Sequence, residues 1–373
     1  MRAVVVAADM LTPYGRGADA CWNGLLSGKT AISPVTRFST AAFQSGVAAT
    51  IGNLVYHGRE SLVMQMLRPL FKDSGISIPV DARLLLATTK GEIDFLEQHI
   101  LENSGDASRS VVSNLLRNVA DLAGVRGDSL VVSAACTSSA AAVARAAAMI
   151  RNGHADCVLV VACDSVTEFI FSGFSSLMAL DKVPARPFDR NRAGLSIGEA
   201  AAFALLMSRT RAEREHRELL GEIAGWGLSD DANHMTGPSR ESEGLILAIT
   251  KALTSAGIAM EDIGVIAAHG TGTVYNDGME MRAFRALFKE RKVPIYSIKG
   301  GIGHTMGAAG LVETIMAQRV LREKLVPPTV NMRLPDEDAA GWVSEQKRPL
   351  ERGSMALVTN AGFSGVNSAL VVA

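Results

Sequence analysis

Cys136, His269 and His304 stand in surroundings that set them apart from the other cysteines and histidines of this 373-residue chain. The cysteine lies in SLVVSAACTSSAAAVARAAAMI, where a β-branched run ends in small residues and an alanine-rich stretch begins. That order predicts a strand, a tight turn and a helix. The thiol then sits beside the unpaired N–H groups and positive dipole end of the helix, which stabilise thiolate and can point at a carbonyl oxygen. A depressed thiol pKa is the expectation. His269 precedes a Gly-Thr-Gly-Thr run in VIAAHGTGT, and His304 follows Gly300, Gly301 and Gly303 in SIKGGIGHTMGAAG. One nucleophile and two imidazoles, each presented where backbone passes close to something, point to acyl chemistry at sulfur. Lys299 directly follows the strand-like IYSI and precedes His304 by five residues. A buried ammonium there biases the protonation of its neighbours and needs an acidic partner, for which Glu280 and Glu199 are the candidates.

The remaining candidates read as ordinary. Cys157 and Cys163 bracket VLVVA, a buried-strand pattern, and no CxxC spacing suggests zinc or a dithiol. His57, His99, His154 and His216 read as core or surface residues, while His234 in DANHMTGPS belongs to an ordered loop.

A weak internal repeat supplies the elements that must position the three residues, if the chain is cut near residue 215. RAVVVAADMLTPYG parallels IGVIAAHGTGTVYND, DSLVVSAACTSSAAAV parallels PIYSIKGGIGHTMGAAGLV, and DCVLVVACDSV parallels SMALVTNAGFSGV. Each is an apolar strand running into a functional-looking loop, so an α/β chain of two similar halves, 1–215 and 216–373, is predicted. Ligands of α/β sheets gather outside the carboxyl ends of strands, which brings Cys136, His269, His304 and the GFSGVN loop together. The Ala/Gly-rich helices after Cys136 and His304 mark segments buried between layers. RTRAEREHRELL reads as a solvated helix at the junction of the halves, and SLVMQMLRPLF and SRSVVSNLLRNVADLAG as helices lining a cavity or subunit contact.

Composition narrows the class. Forty-eight per cent apolar residues at this length support a large aliphatic core, and 37 basic against 38 acidic residues give no global field for nucleic acid. Arg145 and Arg151 break the longest apolar stretch short of the ~18 residues of a spanning helix. RAVVVAA at the start lacks the features of a signal peptide, so a cytoplasmic protein without a membrane span is expected.

With these residues in view, the chain resembles the elongating, Cys-His-His β-ketoacyl-acyl carrier protein synthases of the thiolase-fold superfamily. The resemblance runs nearly end to end: TPYG and WNGLLSGKTAISPVTRFS, the Cys136 motif, RPFDRNRAGLSIGEAAA, HGTGTVYNDGMEMRA, KGGIGHTMGAAG, PPTVN and NAGFSGVNSALVV occur in order. It implies a thiolase-like fold of two pseudo-symmetric αβαβα halves. It also implies a ping-pong reaction in which Cys136 takes an acyl chain from a carrier-protein thioester and malonyl-carrier then decarboxylates. His269 and His304 would hydrogen-bond the malonyl thioester oxygen, and the backbone N–H groups of Cys136 and Phe363 would hold the tetrahedral oxyanion. Lys299 would order the histidines with Glu280 as its partner, Phe363 would act as the gating aromatic, and Thr271 and Thr273 would contact the pantetheine arm. Neither cofactor nor metal is implied beyond the arm of the acyl carrier protein. The family default is a homodimer, with heterodimers of homologous subunits as the variant.

Departures from the family pattern fall between Gly58 and Arg126, where the chain is short, at ATTKGEID in place of a glycine-rich turn, and at Ser364 in place of glycine. Among rival readings, a silent partner subunit would usually lose the cysteine, and a cysteine hydrolase leaves the second histidine and Lys299 without purpose. Dinucleotide binding by GGIGHTMGAAG would require glycine at Met306. Arg59, Arg68 and Arg126 are the basic residues available to an acidic carrier, with ordinary surface arginines as the alternative.

Overall fold

A computed structural model describes residues 1–72 and 75–373. Its central feature is an eleven-stranded sheet, ten strands of which form one path. In chain order these are β1 (Ala3–Thr12), β2 (Arg83–Ala87), β3 (Ser129–Val132), β4 (Cys157–Asp164) and β5 (Ala200–Ser208), then β6 (Gly221–Asp230), β7 (Ile263–Ala267), β8 (Ile295–Tyr296), β9 (Met355–Ala361) and β10 (Val366–Val372). The path runs β3-β2-β4-β5-β1-β6-β10-β9-β7-β8, so each set of five has its third, second, fourth, fifth and first strand side by side. Directions match too: β2 is parallel to β3 and β4, and β7 to β8 and β9, with the remaining pairs antiparallel. Among the described residues, strand pairing joins the two sets only where Ala3–Val5 pairs with Gly221–Ile223.

This order corrects one of the repeat pairings. The Cys136 and His304 segments follow the third strand of each set, and DCVLVVACDSV and SMALVTNAGFSGV contain the fourth strands, as the repeat implies. RAVVVAA, however, is the first strand of its set and IGVIAA the second of the other; the positional partner of β1 is β6, GEIAGWGLSD. Two apolar strands followed by polar loops look alike along the chain, because hydrophobic pattern reports burial and not which neighbour a strand takes.

Helices complete five layers. α1 (Leu62–Lys72) and α2 (Val112–Ala123) cover the outer face of the first set, and α4 (Glu243–Ala256) with α5 (Val274–Phe288) the outer face of the second. Between the sets lie α3 (Ser138–Arg151) and α6 (Ala309–Glu323), packed on each other and on strands of both. α3 can occupy this place because Ser138, Ser139, Ala140, Ala142, Ala144, Ala146 and Ala147 bury almost every face without bulk. A Cβ on Gly310 would lie 2.7 Å from Ala140 Cβ and 2.8 Å from its backbone nitrogen, so glycine is what lets the two helices touch. Ser139 Oγ accepts the Leu311 N–H at 2.9 Å, capping one central helix with the other. The helical stretch after β5 is shorter than its charge pattern predicts, Arg209–Arg214, and is not wholly solvated: Arg211 is buried, forked onto Asp81 at 2.8 Å and bonded to Glu215. Among the described residues no helix is long and apolar enough to cross a membrane.

The close approach at Gly310 yields a stability prediction. Gly310→Val should lower the free energy of unfolding by about 1–3 kcal/mol through overpacking, measured by urea denaturation. An unchanged midpoint would mean that α3 and α6 separate without cost.

Candidate active site

The four loops singled out in the sequence follow β3, β7, β8 and β9, all at the carboxyl ends of parallel strands. They close around one cavity of about 690 Å³ whose lining includes Cys136, His269, His304, Thr271, Thr273 and Phe363. Among the described residues, His57, His99, His154 and His216 are not part of that lining, whereas His234 is. The other three cysteines are free and buried.

Cys136 sits in a turn knotted by its neighbours. Thr137 Oγ1 donates to the Ala134 carbonyl and Ser138 Oγ to that of Ala135, both at 2.6 Å, and Ala134 N–H returns to Ser138 Oγ at 2.8 Å. Ala135 takes φ 47°, a left-handed conformation uncommon for a residue with a Cβ, so the thiol is aimed at some conformational cost. The expected depression of its pKa is overturned. Burial pushes the thiol up to about 11, against the opposing pull of Lys299 and of the Phe363 N–H directed at the sulfur. Desolvation penalises the anion more than nearby positive charge repays, so Cys136 rests as a thiol.

His269 is held through its own backbone. Its N–H and that of Gly270 donate to the two oxygens of Glu280 at 2.8 and 2.7 Å. The N–H groups of Thr271 and Gly272 donate to Asp277 at 3.0 and 3.2 Å. Asp277 and Glu280 lie one turn apart on α5, which places both carboxylates on one face where they receive four consecutive amides. Gly270 is required here: a Cβ would come within 2.6 Å of the Ser297 side chain, at φ +40°.

Glu280 is therefore not the partner of Lys299. Its remaining contacts are Thr359 Oγ1 and Asn276 Nδ2, each at 3.0 Å, and burial pushes its carboxyl up to about 7. Lys299 instead ion-pairs with Glu313 of α6, both side chains being fully buried. Lys299 Nζ also donates to the His269 carbonyl at 2.5 Å and approaches its Nδ1 at 3.2 Å. Asn360 Nδ2 lies 3.3 Å from the same nitrogen and donates to Glu313 at 2.5 Å. The alternative partner, Glu199, is elsewhere: it takes both guanidinium nitrogens of Arg37 at 2.6 and 2.7 Å and the N–H groups of Ile51 and Val166. That anchor holds the Ser196–Glu199 strip against His304, whose N–H donates to Ser196 at 2.7 Å and whose carbonyl accepts from Gly198 at 2.9 Å. Glu313 was detectable in principle, as an acid set among the small and apolar residues AGLV and IMA that open α6, where a buried carboxylate must be paired. Nothing in the sequence marked Asn360.

The partners of the imidazoles define their tautomers. His269 Nδ1 faces two groups with only protons to offer, lysine and the Asn360 amide nitrogen, and His304 Nδ1 accepts the Met306 N–H at 3.3 Å. In each ring the proton is left on Nε2. Burial, then the Lys299 charge, holds both pKa values well below the usual histidine value, with His304 adding to the effect on His269. Two neutral N–H donors thus stand edge to face, ring centroids 5.1 Å apart.

Phe363 lies against Phe174 at 5.6 Å, and Ser364 beside it takes φ 74°, the conformation for which glycine is the usual choice. Thr271 and Thr273 hydroxyls are 2.9 Å apart, and Thr273 Oγ1 also caps α5 through Asn276 N–H. The turn of the ATTKGEID segment is built on hydroxyls: Thr88 and Thr89 both donate to buried Asp164, which also takes the Gly307 N–H at 2.7 Å.

Comparison with known proteins matches residues 75–212 to the family model described as beta-ketoacyl synthase, N-terminal domain, and residues 220–333 to the C-terminal domain of the same family. The tetracenomycin polyketide synthase ketoacyl synthase alpha subunit of Streptomyces glaucescens is 31% identical, covering 100% of this chain and 97% of its own length. The 3-oxoacyl-[acyl-carrier-protein] synthase 2 of Coxiella burnetii is 28% identical, covering 100% and 98%. Among solved structures, the ishigamide ketosynthase/chain length factor aligns at a TM-score of 0.89 with 26% identity, covering 100% of this chain and 98% of that one. The Xenorhabdus doucetiae ketosynthase (ApeO) in complex with its chain length factor (ApeC) aligns at 0.80, also with 26% identity, covering 100% and 97%.

The tautomers can be checked directly. Imidazole NMR signals of His269 and His304 should remain those of the neutral Nε2–H form from pH 8 down through 6.5. A midpoint near 6.5 for either ring would contradict the assignment.

Proposed function

The chain belongs to the β-ketoacyl synthase family, and on that premise we propose that it is a 3-oxoacyl-[acyl-carrier-protein] synthase, an acyltransferase joining a cysteine-bound acyl chain to malonyl-carrier with loss of CO2. The observation that carries the reading is the convergence of Cys136 with two neutral Nε2–H donors in one cavity.

In the first half-reaction the Cys136 sulfur attacks the acyl-carrier thioester. The new C–S bond forms as the carrier's C–S bond breaks, and the thiol proton ends on the departing pantetheine sulfur. Because burial keeps the resting thiol protonated, its proton has to leave as the sulfur attacks, and the departing thiolate of the carrier's arm is the group that takes it up. Backbone N–H groups of Cys136 and Phe363 hold the oxyanion of this step. In the second, the malonyl thioester oxygen sits between His269 and His304. As the carboxylate leaves as CO2, the electron pair of the broken bond becomes an enolate, whose oxygen the two donors stabilise. The enolate carbon attacks the Cys136 thioester, giving 3-oxoacyl-carrier, and the released thiolate takes up one proton. A neutral donor is the useful form for this task, since no proton is removed from carbon.

Lys299, Glu313 and Asn360 act as positioning residues for His269, and Glu280 with Asp277 shapes the loop on which Thr271 and Thr273 meet the pantetheine arm. Residues 1–215 supply the nucleophile and residues 216–373 both histidines and Phe363. The chemistry draws on no cofactor beyond the carrier's arm, and four unpaired cysteines fit a reducing, cytoplasmic setting. The protein works as a dimer, with a second copy or, as in the ketosynthase/chain length factor structures it resembles, with a homologous subunit.

Acyl-carrier should leave an acyl adduct on Cys136, detected by intact-protein mass spectrometry, and Cys136→Ala should abolish both adduct and condensation. A Cys136→Ala variant that still condensed would refute the reading. His304→Ala should slow malonyl decarboxylation by about 10²–10³-fold while acylation of Cys136 persists, followed by radiolabelled CO2 release. Equal loss of both steps would assign the imidazole elsewhere.

A further inference from the structure

Three large apolar side chains are more exposed than any others described: Met178 at 82%, Met235 at 79% and Tyr275 at 76%. They come from separate segments, the end of the Glu168–Ser176 helix, the loop before α4 and the first turn of α5, yet all stand at the mouth of the cavity that leads to Cys136. Met178 and Tyr275 line it, and Met235 lies between His234 and Thr236, which also do. Isolated exposed apolar residues are unremarkable, but three converging on one opening mark an interaction surface.

The backbone at Met178 strengthens this. Its N–H bonds Ser175 and that of Ala179 bonds Phe174, closing the helix at a residue with φ 53°, where glycine is the favoured choice. A methionine held there, strained and in water, is not explained by packing. Charge adds a separate indication: among the described residues Arg240 is the one formally charged side chain of the lining, which holds no Asp or Glu there and whose catalytic imidazoles are neutral. An anion entering this mouth meets a cation and no opposing carboxylate.

Resting on the proposed function, we propose that Met178, Met235 and Tyr275 form the docking collar for the acyl carrier protein, with Arg240 facing the phosphodiester at the base of its arm. A cavity of about 690 Å³ admits the arm and not a protein, so the carrier's body stops at the collar while its thioester reaches Cys136. Methionines adapt their shape to a partner, and tyrosine supplies a rigid amphipathic anchor. The basic residues suspected from the sequence are elsewhere: Arg59 and Arg68 line a separate cavity with Glu60, and Arg126 pairs with Asp121 at 2.9 Å. The rim is also joined to the Phe363 loop, since the Met235 carbonyl accepts the Ser364 N–H at 2.7 Å and the Gly365 carbonyl accepts the Asp231 N–H at 2.8 Å.

The test compares two acyl donors on the full chain: an octanoyl-loaded carrier protein that acylates the wild type, and octanoyl-N-acetylcysteamine, which needs the cavity but no collar. The Met178→Asn, Met235→Ser, Tyr275→Ser triple variant should raise KM for the carrier at least tenfold, with kcat changed less than threefold and acylation by the small thioester retained. Arg240→Gln should raise KM for octanoyl-phosphopantetheine as well as for the carrier, sparing the N-acetylcysteamine donor. An unchanged carrier KM in the triple variant would overturn the collar, and so would an equal loss with both donors, which would place these residues inside the reaction space. Sedimentation showing that the wild type self-associates and the variant does not would reassign the face to a second copy. If no carrier acylates the wild type while the small thioester does, the underlying function fails, and the collar with it.

Discussion

Lys299 and Glu313 meet in a volume from which water is excluded, and the protonation of the whole cavity is arranged around that contact. An ammonium alone there would be intolerable, and a carboxylate alone would protonate; paired, they form a fixed dipole with the lysine end against His269. The lysine gives His269 Nδ1 a donor to accept from, and its charge, acting with burial, keeps both imidazoles neutral. The same charge opposes the rise of the Cys136 thiol without reversing it. Hence the cavity holds a protonated thiol and two uncharged donors, a set suited to stabilising charge that appears during a reaction rather than to carrying it at rest.

The pair can form only because the fold brings two halves into register. Lys299 follows β8 and Glu313 rides on α6, while Cys136 arrives from the other half in the turn before α3. Small residues at the α3–α6 contact set the separation of those helices, with Gly310 against Ala140, four residues after the cysteine. Packing density at one helix crossing therefore governs how sulfur and imidazoles share a cavity. The two sets of five strands repeat one order, but their loops have diverged in role, one presenting sulfur and the other nitrogen.

Thirteen described residues other than glycine take positive φ, from His57 to Ser364, and part of that strain lies at this centre. Ala135, Met178 and Ser364 each take positive φ without being glycine, and all three border the nucleophile, the mouth or the loop between them. Regular packing does not demand such conformations, and they persist because the surrounding hydrogen bonds over-determine them. Exposed methionines and a tyrosine at the rim similarly forgo burial that the chain could have used elsewhere.

The sequence by itself named the candidates for the chemistry. Cys136, His269, His304 and Lys299 were legible because glycine and small-residue turns after apolar strands are a local signature, and local signatures survive in one dimension. It also determined that two halves exist, since strand and loop patterns recur, although it mispaired β1 with β7. Tertiary structure alone decided which carboxylate answers Lys299, because Glu280, Glu199 and Glu313 differ in where their elements land and not in their type. It decided the state of the thiol as well: a helix terminus can be read from the chain, but desolvation depends on everything packed around it. The mouth lay furthest from view, for Met178, Met235 and Tyr275 are scattered along the sequence and become one surface only when three loops meet.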